Sequence, residues 1–529
     1  MALLAFMLLF RLGATPIYIL DEAKNAQCAR EMLQRNDWVV PTFNGELRTD
    51  KPVLHYYFMM AAYSIFGVSE YAARFFSALL GVLTVLTTFY FTRRFTNELT
   101  AFCSALVLFA STQFLFEFRL SVPDPYLIFF ITAGLFTAFT YLNENKFSYL
   151  LFAAASFALA TLAKGPVALA LPGLCLLIWI IIKRKWTRLF SWKMIPAVVL
   201  LAAITLPWYL AVDKATNHGW TRGFFIDHNI NRFSGSTEGH GGFFLITLLF
   251  VLIGLLPFTS FLGEVVKKRK HVFGDDLVKF SGIVVLAFVV FFSVSGTKLP
   301  NYPMPCYPFA AIIIGRYLSA VITGEFLLRK YPLYILLVIS LAIPIAGYFA
   351  VSAEKEVGSL SNISGLLLVL PVALTVIIIY WSKLSGIKRV ASIAAAYMLF
   401  NILALHVVYP KLYSQNPVTK TLSVVQKHTV YSYKHISKSE YYKFKSSRYA
   451  VTHDEGEFYN PAYNFYLDKP VEKFYNLDSL QAALHKNPWA VIVSRADADA
   501  DLQKLNLTKV AEHHDLFESP TTVVYVSRR

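Results

Sequence analysis

The chain has 529 residues, is 56% hydrophobic, carries only 16% charged residues and has a formal net charge of +16. Soluble domains carry about 25% charged residues. Here the apolar residues gather in long runs, and residues 197–212 and 282–294 hold no charge at all. A run of about 20 apolar residues matches the hydrocarbon thickness of a bilayer, and in lipid it must be helical. Composition therefore excludes a soluble globular protein. It also excludes nucleic acid as a partner, because the basic residues sit in short loops between apolar runs and not on one face of a soluble module.

In chain order, about thirteen spans are predicted with a window of about 19 residues. They lie near residues 2–20, 71–92, 100–118, 124–142, 148–163, 166–183, 195–212, 243–266, 280–296, 302–321, 332–351, 363–382 and 390–409. The first run contains Arg11 but no basic region before it, so it reads as a span and not as a cleaved signal peptide. Residues 53–68 are apolar but short, which suits an interfacial or re-entrant helix. Cys28, Cys103, Cys175 and Cys306 are widely spaced and form no CxxC, so neither a thiolate metal site nor a disulfide framework is indicated.

Beyond Tyr409 the chain turns polar, rich in Tyr and Lys. Residues 478–486 read as a short helix, and 489–494 and 521–527 as strands. The expected architecture is an all-α polytopic membrane domain over residues 1–409 and a small soluble α/β domain over 410–529. The soluble part has no Gly-rich phosphate loop, so no nucleotide cofactor is expected.

Nearly every basic cluster falls in the loops after even-numbered spans, as with Arg93-Arg94, Lys267–Lys270 and residues 183–193. By the positive-inside rule these loops are cytoplasmic, and so is the N-terminus. An odd number of spans then puts the C-terminal domain outside. The opposite loops hold isolated acids, bases and prolines, and the two long ones cover residues 21–70 and 213–242.

The first outer loop opens with Asp21-Glu22 and Lys24 on an amphipathic helix, where Asp21 has the place of an N-cap. It continues to Asp50-Lys51-Pro52, which is either a surface pair or a contact for a lipid phosphate. Val122-Pro123-Asp124-Pro125 starts the fourth span, a pattern that also suits an ordinary helix start. Lys164, in Ala163-Lys164-Gly165-Pro166, has no acidic neighbour in sequence, and a lone Lys at that depth is costly unless it reaches an anion or water. The second long loop holds His228 and Arg232, four residues apart, and Lys298 to Tyr302 precede the tenth span. Several cations converging in a partly apolar cavity suit a phosphate or diphosphate carrying a lipid tail. A nearby carboxylate suits the base for a hydroxyl nucleophile.

These residues, in this order, resemble the polyprenyl-phosphate-dependent GT-C glycosyltransferases. The lipid A aminoarabinose transferases are closest and the protein O-mannosyltransferases more distant. The likeness covers residues 1 to about 420. It implies an enzyme of the bacterial inner membrane that moves a sugar from an undecaprenyl-phosphate carrier to a lipid or protein acceptor on the periplasmic face. It makes Asp21 the essential aspartate and Asp124 the second loop acid. Lys24, Lys51, Lys164, Arg232 and Tyr302 become contacts of the carrier phosphate. Asp50 falls at a position implicated in binding a divalent metal ion. His406, at the outer end of the last span, stands as that ion's second ligand, against the commoner structural role of a lone interfacial histidine. The transition state should be oxocarbenium-like, with the cations stabilising the departing phosphate; displacement with one carboxylate as base implies inversion. The main rival from another class is a flippase for a lipid-linked sugar, which predicts inverted repeats and helices broken at mid-membrane. No repeat is evident.

One prediction follows from loop parity. Reporter fusions at Lys185 and Ser494 should read opposite sides, cytoplasmic and periplasmic. If both read the same side, the gathering of the unusual charges on one face is lost.

Overall fold

The computed structural model describes residues 2–226, 243–435 and 458–527. Among these, nine helices are long and apolar enough to cross a membrane. They match nine of the thirteen expected spans. The other four are shorter or broken. The run over 243–266 is a pair of helices, Ile246–Gly254 and Phe258–Lys267, bent by 113°. Residues 166–183 form α9 (Val167–Lys183), with Pro172 inside it. Residues 100–118 split into α5 (Glu98–Ala110) and α6 (Thr112–Glu117), where Ser111 ends one helix and caps the next by accepting from Phe114 N–H.

The run over residues 2–20 departs most from expectation. Its helix α1 covers only Ala2–Leu9. Arg11 takes a left-handed φ of 49°, and Pro16 cannot donate to a helix. The freed carbonyls need donors. Arg119 donates to Met7 O at 2.9 Å and Leu8 O at 3.0 Å. Arg74 donates to Leu12 O at 3.0 Å and Thr15 O at 2.7 Å.

The chain then continues as α2 (Leu20–Arg35), which turns Ala23, Ala26, Ala29 and Met32 inward. A short hairpin of β1 (Thr42–Phe43) and β2 (Glu46–Leu47) leads to α3 (Leu54–Phe66). At 13 residues α3 is too short to cross, as expected for the apolar segment after Lys51. It packs on α2 and on α4 (Glu70–Phe95), and α4 packs on α7 (Asp124–Glu144). Helix α8 (Phe147–Lys164) returns beside α7.

One buried ion pair joins these parts. Arg74 of α4 meets Glu22 of α2 through Nε–Oε1 at 2.7 Å and Nη2–Oε2 at 2.8 Å, both side chains being almost wholly buried. Glu22 also accepts from Ser121 N–H at 2.9 Å. One carboxylate thus sets the loop after α1, the start of α2 and the loop that leads into α7.

The C-terminal part carries a five-stranded mixed sheet of β3 (Val430–Tyr433), β4 (Glu472–Phe474), β5 (Val491–Arg495), β6 (Leu507–His514) and β7 (Thr521–Ser527), in the order β4-β3-β5-β7-β6. β3 is parallel to β4 and β5, and β7 is antiparallel to β5 and β6. The expected helix and both expected strands are present, at Leu477–Lys486, β5 and β7. This domain rests on α2 and on the hairpin that follows it. Arg30 of α2 pairs with Asp468 at 2.6 Å, and Asn44 of the hairpin turn binds Val471 and Asn464.

Breaking a buried pair leaves one charge without a partner, at about 3–5 kcal/mol. Arg74→Met should lower the unfolding midpoint of the detergent-solubilised protein steeply. Pairing it with Glu22→Gln should recover part of the loss. A single variant as stable as the parent would remove the pair from its structural role.

Candidate functional site

Asp21 lies in the first turn of α2. The helix starts at Leu20 with Ile19 at its N-cap, and no side chain caps it. The capping role that its place in the sequence allowed is therefore not the one it fills. Its side chain opens onto solvent-accessible space although protein surrounds it on most sides. Burial favours the neutral acid, but the charges of Lys51, Arg48 and Lys24 outweigh burial and the opposing Asp50, and hold the carboxyl below its ordinary range.

Arg48 anchors this group. Its side chain is wholly buried and donates to Tyr56 hydroxyl and Asn25 Oδ1, each at 3.1 Å. It also pairs with Asp50 at 3.2 Å. Asp50 is thus held by an internal arginine, and the alternative of a surface pair falls away. The turn before α3 is fixed to α2 through Arg48, and Lys51 is fixed with it.

A second group gathers where α7 begins and α8 ends. Asp124 starts α7 and is 5% exposed. Lys164, the last residue of α8, reaches it at 2.5 Å. The lysine that stands alone in sequence therefore has its anion forty residues upstream. Its ammonium lies 4.8 Å from the centre of the Tyr302 ring, over which a cation is attracted. The next residue, Gly165, has φ of +86°, and a Cβ there would lie 2.5 Å from the Phe224 ring. Only glycine fits both the turn and that contact.

Sequence reading missed Glu117, the last residue of α6. It is 6% exposed, its Oε1 has no hydrogen-bond partner, and it lies in the fields of Asp124, Lys164 and Glu22. The signal was available, because an acid inside an apolar run is a functional candidate by default. Arg48 was passed over for a different reason: nothing in sequence distinguishes a buried arginine from an exposed one.

The structure thus brings Asp21, Lys24, Asp50 and Lys51 together, and separately Asp124, Lys164 and Tyr302, with Glu22 linking the two loops. Arg232 and His228 lie outside the described residues. His406 is elsewhere. Its ring packs on Phe6 of α1 and on Phe10 just after it, and the charges that reach it are the cations Arg119 and Arg11. A ring among cations is a poor place for a metal ion, and His406 does not join Asp50. Among the described residues, no three His, Cys, Asp or Glu side chains gather closely enough to hold a metal. Asp50 and His406, the residues named for a divalent ion, do not come together to hold one.

Comparison with solved structures defines the fold. The chain superposes on the crystal structure of ArnT from Cupriavidus metallidurans bound to undecaprenyl phosphate with a TM-score of 0.79, covering 99% of this chain and 96% of that one at 20% identity. This is the GT-C membrane fold with a C-terminal soluble domain. In sequence, residues 3–222 match the family model described as dolichyl-phosphate-mannose-protein mannosyltransferase. The chain is 31% identical over 315 residues to an uncharacterised protein of Aquifex aeolicus (strain VF5), covering 58% of this chain and 71% of that protein. It is 31% identical over 316 residues to the undecaprenyl phosphate-alpha-4-amino-4-deoxy-L-arabinose arabinosyl transferase of Edwardsiella ictaluri (strain 93-146). That match spans 58% of this chain and 56% of the Edwardsiella protein. The chain belongs to the ArnT-like GT-C family, and it spans little more than half the length of the named transferase that it matches.

The electrostatics of Asp21 can be checked without turnover. Its folded pKa is depressed, so ionisation stabilises the fold above the ordinary carboxylate range, and this contribution is lost as pH falls through the depressed value. Lys51→Met removes the largest favourable charge. A hydrophobic carbodiimide attacks protonated carboxyls, so its labelling of Asp21, followed by peptide mass spectrometry, should begin at higher pH in Lys51→Met than in the parent. Identical onsets would show that Lys51 does not set the ionisation of Asp21.

Proposed function

We propose that this chain transfers a sugar from an undecaprenyl-phosphate-type carrier to a lipid A-like acceptor on the outer face of the bacterial inner membrane. The observation that carries the reading is the ionised Asp21 carboxylate held beside Lys51 at the start of the outer loop. The names of the relatives, aminoarabinose transferases that use undecaprenyl phosphate, support the donor class. A protein acceptor, as the family model's description suggests, is the alternative within the same chemistry.

In this reading Asp21 orients the acceptor hydroxyl and takes its proton as the oxygen attacks the anomeric carbon. The bond from that carbon to the phosphate oxygen breaks, and the electron pair leaves with the carrier phosphate. Lys51 and Lys164, with Arg232 and Lys24, take up the charge that develops on the phosphate, so no acid need protonate it. Lys164 already has Asp124 as partner. The phosphate would therefore share that lysine, and Asp124 would hold the ammonium in place before the donor arrives. Attack from the face opposite the phosphate inverts the anomeric configuration.

Asp21→Asn is the decisive variant. Because Asp21 makes no cap bond, asparagine removes charge and basicity without removing a helix cap. The purified variant should fold normally and turn over about a hundredfold or more slower with a polyprenyl-phosphate aminoarabinose donor and lipid A. Near-parental turnover would remove Asp21 from catalysis. A mass spectrum of lipid A from deletion and parental cells would test the acceptor: an unchanged lipid A profile would exclude it.

A further inference from the structure

At the end of α7 away from Asp124 there is an apolar cavity of about 300 Å³, within the range of ligand sites, about 300–1,000 Å³. Its walls include Tyr141 of α7, Leu150 of α8, Leu176 and Ile180 of α9, and Leu189 of α10 (Trp186–Leu189). Tyr141 follows Asp124 by most of a helix, about 25 Å along its axis, so the cavity is remote from the site above. Gly173 is also in the wall, and no atom lies within 4 Å of where a Cβ would sit there. Leu177 beside it is 41% exposed, so the cavity opens on the outer surface of the helices. In a bilayer that surface meets lipid.

One cation lines the cavity, Arg188. It belongs to the connection between α9 and α11 (Met194–Ala215), where residues 183–193 hold five basic side chains and no acid. The connection is tied down. Tyr141 hydroxyl donates to Arg188 O at 3.2 Å, Lys185 to Leu142 O at 2.9 Å, and Lys193 to Asn145 O at 3.1 Å. These bonds fix Arg188 through its backbone and leave its guanidinium unused. Among the described residues no carboxylate pairs with it. The acids nearby already have partners: Glu144 meets Arg94 at 2.6 Å and Lys146 at 3.0 Å, and Asp276 meets Lys183 at 2.6 Å. Burial, together with the charges of Arg188 and Lys183, holds the Lys185 ammonium below its ordinary range against the pull of Asp276. Cations are in excess here. Trp186, Phe190 and Trp192 of the same connection are exposed, and aromatic side chains so placed mark the headgroup level of a bilayer.

We propose that this cavity binds an anionic phospholipid of the leaflet opposite the Asp124–Lys164 cluster, with an acyl chain in the cavity and the phosphate on Arg188. An uncharged chain would fill the cavity but leave the guanidinium unanswered. A free phosphate would answer the guanidinium but leave the cavity empty. A zwitterionic lipid would bring its own cation into a corner already rich in them. An anionic lipid meets both demands.

The test uses the purified full chain in phosphatidylcholine nanodiscs that contain phosphatidylglycerol with a photoreactive group on one acyl chain. Cross-links are located by peptide mass spectrometry. They should fall in residues 173–180 and 189–194, about five- to tenfold more strongly than with phosphatidylcholine carrying the same chain. Arg188→Gln should bring the phosphatidylglycerol signal down to the phosphatidylcholine level. Gly173→Leu puts a side chain into the open space and should remove the signal from both lipids there, with the unfolding midpoint at least parental. Should that variant unfold earlier, Arg188→Gln decides by itself, because the guanidinium makes no contact on which the fold depends. Equal labelling by the two lipids, or phosphatidylglycerol labelling unmoved by Arg188→Gln, would overturn the proposal. So would competition by polyprenol or polyprenyl phosphate as effective as that by unlabelled phosphatidylglycerol, which would give the cavity to an isoprenoid chain. No outcome depends on sugar transfer, so the result is independent of the reading of Asp21.

Discussion

The bidentate contact between Glu22 and Arg74 is the constraint on which the loops around Asp21 and Asp124 depend. Arg74 spends its remaining donors on the carbonyls of residues 12, 15 and 16, where the chain leaves α1 without a helix to satisfy them. Glu22 spends its remaining acceptor capacity on Ser121. Asp21 is the next residue in one direction, and Asp124 lies three residues beyond Ser121. The positions of both acids therefore follow from one pair of buried charges, far more rigid than a surface pair.

Around that pair the site is built by alternating charge. Asp21 stays ionised because Lys51 and Arg48 face it, and Arg48 stays in place because Asn25, Tyr56 and Asp50 satisfy it. Lys164 is held by Asp124 and lies over Tyr302. Fixed charges of this kind need little reorganisation when a phosphate leaves, which is where electrostatic catalysis gains most. Glu117 is the exception to the alternation: no hydrogen bond from the described residues reaches its Oε1.

The soluble domain bears on the same loop. Asp468 and the segment through Val471 contact Arg30 of α2 and Asn44 of the hairpin. At a second point, His513 and His514 meet Glu356 and Glu354, which follow the span Tyr331–Ala353. The domain thus touches the membrane part at several places, with Tyr466 also meeting Ile17 and Glu70, and Leu516 meeting Tyr18. One of them is α2, which carries Asp21 in its first turn.

The sequence by itself determined the membrane class, a small α/β C-terminal domain, the loops in which isolated charges gather and about thirteen spans, nine of which are full-length helices. Long apolar runs, turn residues and isolated loop charges are local properties, readable without partners. It also singled out Asp21, Lys51, Asp124 and Lys164. Tertiary structure alone decided what those residues touch. The run over residues 2–20 is apolar enough to span, yet Arg11 and Pro16 end its helix because Arg74 and Arg119, distant in sequence, receive its carbonyls. Lys164 reads as unpaired because its partner lies forty residues away. His406 reads as a ligand until its ring is found among Phe6, Phe10 and two arginines. Glu117 could be suspected in sequence as an acid inside an apolar run, but Arg48 could not be ranked, because burial is a property of the packed chain, and it is burial that makes a charge either costly or useful.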